Sequence, residues 1–438
     1  MYINVIGAGL AGCECAYQIA KCGINVRLFE MKPTKKTAAH KSDLFCELIC
    51  SNSLKALRIE SAAGLLKEEM RRLDSLLMKC ADKCAVPAGG ALAVNRDDFS
   101  AMVTKEIRNN PLIEVIEKEV TEIPNDAITV IAAGPLASEV LSADIQKICG
   151  GGLSFFDAAA PIVTAESIDM EKAFFASRYD KGGDDAYINC PMNKDEYEAF
   201  YEALVSAERT PLHGVDVQNP KVYEGCMPVE ILAQRGHDTL RFGPMKPVGL
   251  RDPRTGHRPW AVLQLRTENA EKSLYNLVGF QTNLKFPEQK RVFSMIPALH
   301  DAEFIRYGVM HRNTFLDSPR ILNSDFSMKE NANIFFAGQI TGVEGYMESG
   351  ASGLIAGINA VRRLNNIETI TLPKETMIGA LSRYIADESV KDFQPMGANI
   401  GILPPLEEKI RDKRERAAKH SACALDALEK VKVDFALA

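Results

Sequence analysis

Residues 2–30 read YINVIGAGLAGCECAYQIAKCGINVRLFE, and this stretch decides the fold. Tyr2–Ile6 is a short apolar run of strand type. Gly7-Ala8-Gly9-Leu10-Ala11-Gly12 follows, then a helical stretch to about Cys22 that Gly23 ends. Asn25–Phe29 reads as a second strand with Glu30 at its end. The result is a βαβ unit with a G-x-G-x-x-G turn between strand and helix. Glycines there let the backbone turn tightly and approach a pyrophosphate, and the helix N-terminus favours its negative charge. Glu30 is placed to accept hydrogen bonds from ribose hydroxyls, and a carboxylate there argues against a 2′-phosphate. The expected ligand is FAD or NAD, held by Gly7, Ala8, Gly9, Leu10, Ala11, Gly12 and Glu30.

Two later segments bear on that choice. Thr129-Val130-Ile131-Ala132-Ala133-Gly134 and Phe335-Phe336-Ala337-Gly338-Gln339 are apolar strands running into glycine. They resemble the strand-to-loop crossing of two-domain flavoproteins and the late strand that carries a loop under a flavin. With the N-terminal turn they favour FAD, with Gly134, Gly338 and Gln339 as further contacts. No second G-x-G-x-x-G occurs, so a nicotinamide donor needs no Rossmann domain of its own.

From about Gly150 the texture changes to glycines, aromatics and irregular periodicity. The expected architecture is therefore α/β. A Rossmann-like FAD-binding domain of two-domain flavoprotein type (1–150 and 326–438) carries an inserted α+β domain (151–325). Leu65, Leu66, Met70, Leu73, Leu76 and Leu77 recur at helical spacing, which predicts one long helix from about Ser51 to Lys79. A Pro-marked loop, Gln394–Pro405, precedes a charged helix from about Leu406 to Lys432.

The 438 residues provide ample length for a real core. With 46% hydrophobic and 25% charged residues, the chain is neither disordered nor collagenous. Its 52 basic and 58 acidic residues leave a net charge of −6, so a nucleic-acid partner must be met by a local basic patch. The 11 cysteines include no C-x-x-C pair, which removes the usual zinc spacings. No metal is expected. No signal peptide precedes the first strand, and apolar runs such as Val130–Ala137 fall far short of the ~20 residues that span a bilayer. The expectation is a cytoplasmic protein with reduced thiols and no membrane association.

More specific strings run the length of the chain. They include Cys50-Ser51-Asn52-Ser53-Leu54, Gly64-Leu65-Leu66-Lys67-Glu68-Glu69-Met70-Arg71 and Tyr223-Glu224-Gly225-Cys226-Met227-Pro228. Others are Leu240-Arg241-Phe242-Gly243-Pro244-Met245-Lys246-Pro247, Gly308-Val309-Met310-His311-Arg312-Asn313-Thr314, Gly338-Gln339-Ile340-Thr341-Gly342-Val343-Glu344-Gly345-Tyr346 and Phe393-Gln394-Pro395-Met396. By these the sequence resembles the folate- and FAD-dependent tRNA (uracil-5-)-methyltransferases. The resemblance implies 5-methyluridine formation in the T-loop of tRNA. Methylenetetrahydrofolate supplies the carbon, reduced FAD carries it and completes its reduction, and NAD(P)H recharges the flavin. Related readings are the same chemistry on a ribosomal RNA uridine, a plain flavin oxidoreductase acting on a small molecule, or a non-catalytic FAD-binding partner.

Carbon 5 of uracil is a poor nucleophile until a thiolate adds to carbon 6. By resemblance that thiolate is Cys226, although a free cysteine is most often a buried apolar side chain. Cys50 is the second catalytic candidate, as base or as partner of the transferred carbon. It precedes Ser51-Asn52-Ser53, which would cap a following helix and lower the thiol pKa. Tyr346 is read as stacking on the flavin or a base, or as core packing. His311, Arg312 and Asn313 suit a pterin ring and a folate tail, or a capped loop. Arg241, Arg251 and Arg254, with Lys246 and Arg258, concentrate positive charge for phosphate contact or form a solvated loop.

Overall fold

The computed structural model describes residues 1–37, 40–150, 153–158, 160–180, 187–210, 227–267, 272–308, 310–390, 393–408 and 410–435. The N-terminal unit forms as its sequence dictates: β1 (Tyr2–Ile6), α1 (Leu10–Lys21) and β2 (Asn25–Glu30). Gly23 sits just beyond α1 at φ +76°, the left-handed conformation that ends a helix cheaply in glycine. β1 lies at the centre of a five-stranded sheet in the order Ile334–Phe336, Thr129–Ile131, β1, β2, Ile113–Glu117. Every pair in it is parallel. Such a sheet is covered on both faces, and Ile3, Val5, Val130, Ile131, Phe335 and Phe336 are all fully buried.

A second core gathers residues between Val163 and Ala302 around a six-stranded antiparallel sheet. The chain crosses between the two bodies on the paired strands Leu153–Ala158 and Met310–Phe315. Phe315, Leu316, Ile321 and Leu322 pack into the first core.

One expected element differs. In place of a single helix from Ser51 to Lys79, the structure has a strand (Ser53–Ala56) and helices Ala62–Arg72 and Leu76–Lys83. The break has a tertiary cause. The Glu14 carboxylate, buried in α1, accepts the N–H groups of Leu76 and Leu77 at 3.2 and 3.0 Å and the Ser75 hydroxyl at 2.7 Å. A continuous helix would have spent those N–H groups on its own carbonyls. Asp74 turns the chain at φ +61°, and Ser75 caps the new helix by accepting from Met78 N–H. The Asp-Ser pair was the local signal for this break. The tail helix also begins later than expected, at Lys413, where Asp412 accepts the N–H groups of Arg414 and Glu415.

Glu69 repeats the device. It is fully buried and accepts the N–H groups of Met377 and Ile378 at 2.7 and 2.9 Å, at the start of helix Met377–Ala386. Burial pushes its pKa up to about 8 from 4.5, against the smaller opposing pull of the two N–H groups. A carboxyl that titrates higher when folded keeps a proton that the unfolded chain releases. Stability therefore falls as pH rises from about 4.5 to about 8 and levels off beyond. Relative to Glu69→Gln, the wild-type chain should lose at most about 1.4 kcal/mol per pH unit in this window. Denaturant titrations of both proteins across the window check this, and a difference independent of pH contradicts it.

Candidate dinucleotide and thiol site

The turn between β1 and α1 uses each glycine differently. Gly7 sits at φ +100°, where a Cβ would lie 2.6 Å from the Ala132 carbonyl oxygen. A Cβ on Gly12 would come within 1.8 Å of the Gly7 oxygen, so this residue lets α1 press on the turn. Around Gly9 nothing lies within 4 Å of a Cβ position, and that space belongs to a cavity of about 410 Å³. Gly9 caps α1 without a side-chain partner, leaving the first-turn N–H groups for an anion.

Gly7 through Ala11, Glu30, Gly134, Gly338, Gln339 and Tyr346 all line this cavity. Gly12 stands behind it. The Glu30 carboxylate accepts Ala8 N–H at 2.7 Å and Lys32 N–H at 3.0 Å, which fixes its orientation while each oxygen keeps a lone pair. An open position at Gly9, an uncapped helix start and an oriented carboxylate together fit a dinucleotide.

Cys50 and Ser51 line the same cavity. Cys50 does not precede a helix, since the strand Ser53–Ala56 follows it, so no helix N-terminus acts on its thiol from that side. Its partner is Tyr346, the first residue of helix Tyr346–Leu364. The Tyr346 oxygen lies 2.9 Å from Cys50 Sγ and accepts the N–H groups of Cys50 and Ser51 at 2.9 and 3.3 Å. Burial holds the Tyr346 hydroxyl pKa well above its ordinary value, and neighbouring Cys50 adds to this.

Arginines brace the loop around Cys50. Arg96 donates to the carbonyls of Leu48 and Ile49 at 2.8 and 3.3 Å. From the second body, Arg306 donates to Ile49 at 2.7 Å. Arg266 donates to Asn52 Oδ1 at 2.9 Å and to the Ser51 hydroxyl at 2.6 Å. Asn52 in turn donates to the carbonyls of Val94 and Thr267 at 3.1 and 2.8 Å. Sequence reasoning missed Arg266 and Arg306. An arginine within Ala261–Thr267, a strand buried at all seven positions, was the available signal for the first. Lys55, also on the cavity wall, pairs with the buried Glu348 at 2.6 Å.

Cys226 lies outside the described residues. The chain on either side is anchored: Thr210 N–H donates to the Asn283 carbonyl at 2.8 Å and Val229 N–H to the Gln281 carbonyl at 2.7 Å. Gln281 lines the cavity. His311, Arg312 and Asn313 lie on the strand paired with Asp157, Phe156 and Phe155, and their side chains are outside the description. Arg241 stacks 3.7 Å over Trp260 and pairs with Asp238 at 2.8 Å, while Arg254 pairs with Asp252 at 2.7 Å. Arg251 is exposed and donates to the Gly256 carbonyl at 3.3 Å.

Residues 2–368 match the family model of glucose inhibited division protein A. The methylenetetrahydrofolate–tRNA-(uracil-5-)-methyltransferase TrmFO of Acetivibrio thermocellus is 59% identical over 429 residues, 98% of each chain. The chain belongs to this family. Another methyltransferase of the same name, from Desulfitobacterium hafniense, is 59% identical over 98% of both chains. The crystal structure of Aquifex aeolicus GidA superposes with a TM-score of 0.71 at 17% identity, covering 100% of this chain and 74% of that one. That likeness establishes the α/β fold of the glucose inhibited division protein A family for this chain.

The geometry separates two glycine substitutions. Gly12→Ala drives a methyl into the Gly7 carbonyl and should lower the melting temperature. Gly9→Val has room in the ligand-free fold and should leave its melting temperature unchanged while removing bound dinucleotide. Calorimetry of the stripped protein and chromatography of heat-released nucleotide measure both; full nucleotide content in Gly9→Val contradicts the placement.

Proposed function

We propose that the chain forms 5-methyluridine in the T-loop of tRNA, with methylenetetrahydrofolate as carbon donor, bound FAD and NAD(P)H as reductant. The observation that carries this reading is a single cavity lined by both the dinucleotide turn and the Cys50 loop, in a chain of this family. Among the described residues no helix is long and apolar enough to cross a membrane, and a tRNA substrate puts the work in the cytoplasm.

Cys226 is the residue we assign to addition at carbon 6 of uracil. Its sulfur forms a bond to that carbon, the displaced electron pair becomes an enolate, and carbon 5 becomes nucleophilic. Support comes from chain reach. Cys226 precedes Val229 by three residues, and three residues span at most about 11 Å. Val229 is bound to Gln281, on the cavity wall. FAD, when bound, supplies the electrons that bring the transferred carbon to the methyl level.

After carbon 5 has gained its new carbon it must lose its proton, and the bond from Cys226 to carbon 6 must break. Cys50 is our base for that proton. The Tyr346 oxygen receives two backbone N–H groups, which directs its own O–H toward Cys50 Sγ. Tyr346 then hydrogen-bonds the sulfur while it is anionic. Its high pKa keeps it a donor. Arg266 and Arg306 hold the loop that presents Cys50.

Cys226→Ala should abolish methylation while flavin content and reduction by NAD(P)H persist. With tRNA carrying 5-fluorouracil at the target, the wild-type enzyme should leave a covalent adduct on a denaturing gel, because fluorine cannot depart as a proton does. An undiminished adduct in Cys226→Ala, lost instead in Cys50→Ala, reverses the two assignments. Tyr346→Phe, which removes the donor to Cys50, should slow methyl transfer roughly 10- to 100-fold with flavin retained. Nucleoside analysis under single-turnover conditions measures this, and an unaltered rate removes Tyr346 from the chemistry.

A further inference from the structure

Phe242 is 82% exposed, at the end of the one-turn helix Thr239–Phe242. Leu240 is fully buried in the second core and Arg241 lies over Trp260. The loop that follows is held by hydrogen bonds and by a buried side chain. Met245 is fully buried, its N–H donates to the Leu240 carbonyl at 2.8 Å, and its carbonyl accepts from Val262 N–H at 3.1 Å. Arg178 donates to the carbonyls of Lys246 and Val248, the latter at 3.0 Å. Tyr179 joins the same loop. Its N–H donates to the Gly249 carbonyl at 3.0 Å, and its ring lies so close over Gly249 that a Cβ there would meet it at 3.0 Å. Tyr179 is nonetheless 59% exposed.

Cations follow Phe242 along the same loop. Lys246, Arg251 and Arg258 are exposed, while the carboxylates of Asp238 and Asp252 are paired with Arg241 and Arg254. The loop reaches the segment that carries the cavity wall through Pro244. Pro244 packs on Gly279, where a Cβ would come within 2.7 Å of the proline, and Gln281, two residues on, lines the cavity wall. A ligand that engages such a patch must offer negative charge and flat apolar faces together. An unpaired stretch of RNA does so, with phosphates for the cations and bases for the rings.

We propose that Phe242, with Tyr179 packed against the loop that follows it, is a stacking surface for unpaired bases of the tRNA, set among phosphate-binding cations. The inference rests on the function proposed above and adds to it a preference for looped-out over paired RNA. The cations supply affinity for any RNA, and the rings supply it only where bases are free to stack.

The test compares the FAD-loaded enzyme and its Phe242→Ala variant for affinity to a hairpin with the target uridine in its loop and to a fully paired duplex of equal length. An exposed ring supports no packing, so the variant should melt with the wild type. Its hairpin affinity should fall roughly 5- to 100-fold. Duplex affinity should change by less than about twofold, and the slope of log affinity against log salt should stay the same, since no phosphate contact is lost. Phe242→Trp should restore hairpin binding. Arg251→Ala, in contrast, should weaken both RNAs and lower the slope by roughly 0.7–0.9. Unchanged hairpin affinity in Phe242→Ala, an equal loss on the duplex, or an altered slope overturns the inference. So does a dimer of the wild type that Phe242→Ala dissolves in sedimentation, which would give the ring to a second copy of this chain. A wild-type enzyme that binds neither RNA overturns the proposed function itself.

Discussion

Helix Tyr346–Leu364 meets α1 backbone against backbone. A Cβ on Gly353 would lie 2.1 Å from the Ala11 carbonyl oxygen, and one on Gly357 would lie 2.8 Å from that of Cys15. Helix Tyr346–Leu364 can therefore rest directly on α1 only because these positions carry no side chain. The consequence reaches both ends of the cavity. α1 begins at the dinucleotide turn, and the later helix begins at Tyr346. Their separation is set by the glycines, so the distance from the cofactor cradle to the tyrosine that holds Cys50 is a property of this crossing. Gly338 obeys the same constraint, with its Cβ position 3.1 Å from Ala11 Cβ and its N–H donating to Ser352 on the later helix at 2.7 Å.

The Cys50 loop has little regular structure of its own and borrows its shape from outside. Arg96 holds it from the first body, and Arg266 and Arg306 hold it from the second. Hydrogen bonds from charged donors contribute about 1.5–3 kcal/mol each, enough together to keep one loop conformation against the entropy of an irregular segment. The inserted body is thus part of what positions the thiol. It also carries the anchors on either side of the Cys226 segment and the exposed aromatic loop.

Buried carboxyl groups do comparable work between helices. Glu14 and Glu69 are each fully buried with no cation bonded to them among the described residues, and each takes two N–H groups at the start of another helix. Burial raises the pKa of both. The arrangement ties α1 to helix Leu76–Lys83, and helix Ala62–Arg72 to helix Met377–Ala386. It replaces the local caps that a sequence reader looks for with caps supplied from distant chain.

The sequence by itself determined the βαβ unit, because its causes are local. A strand, three glycines with separate steric duties, a helix and a carboxylate all lie within one short stretch, where backbone geometry leaves few alternatives. It also determined the strands at Thr129 and Ile334 and the family strings around Cys50 and Tyr346. Only the tertiary structure decided that Tyr346 reaches Cys50, 296 residues away, that Arg266 holds Asn52 across 214, and that Glu14 splits an otherwise continuous helical pattern at Asp74. Each of those outcomes rests on a buried polar group finding its partner. That partner is chosen by which surfaces meet when the helices and sheets pack, and periodicity along one chain carries no record of it.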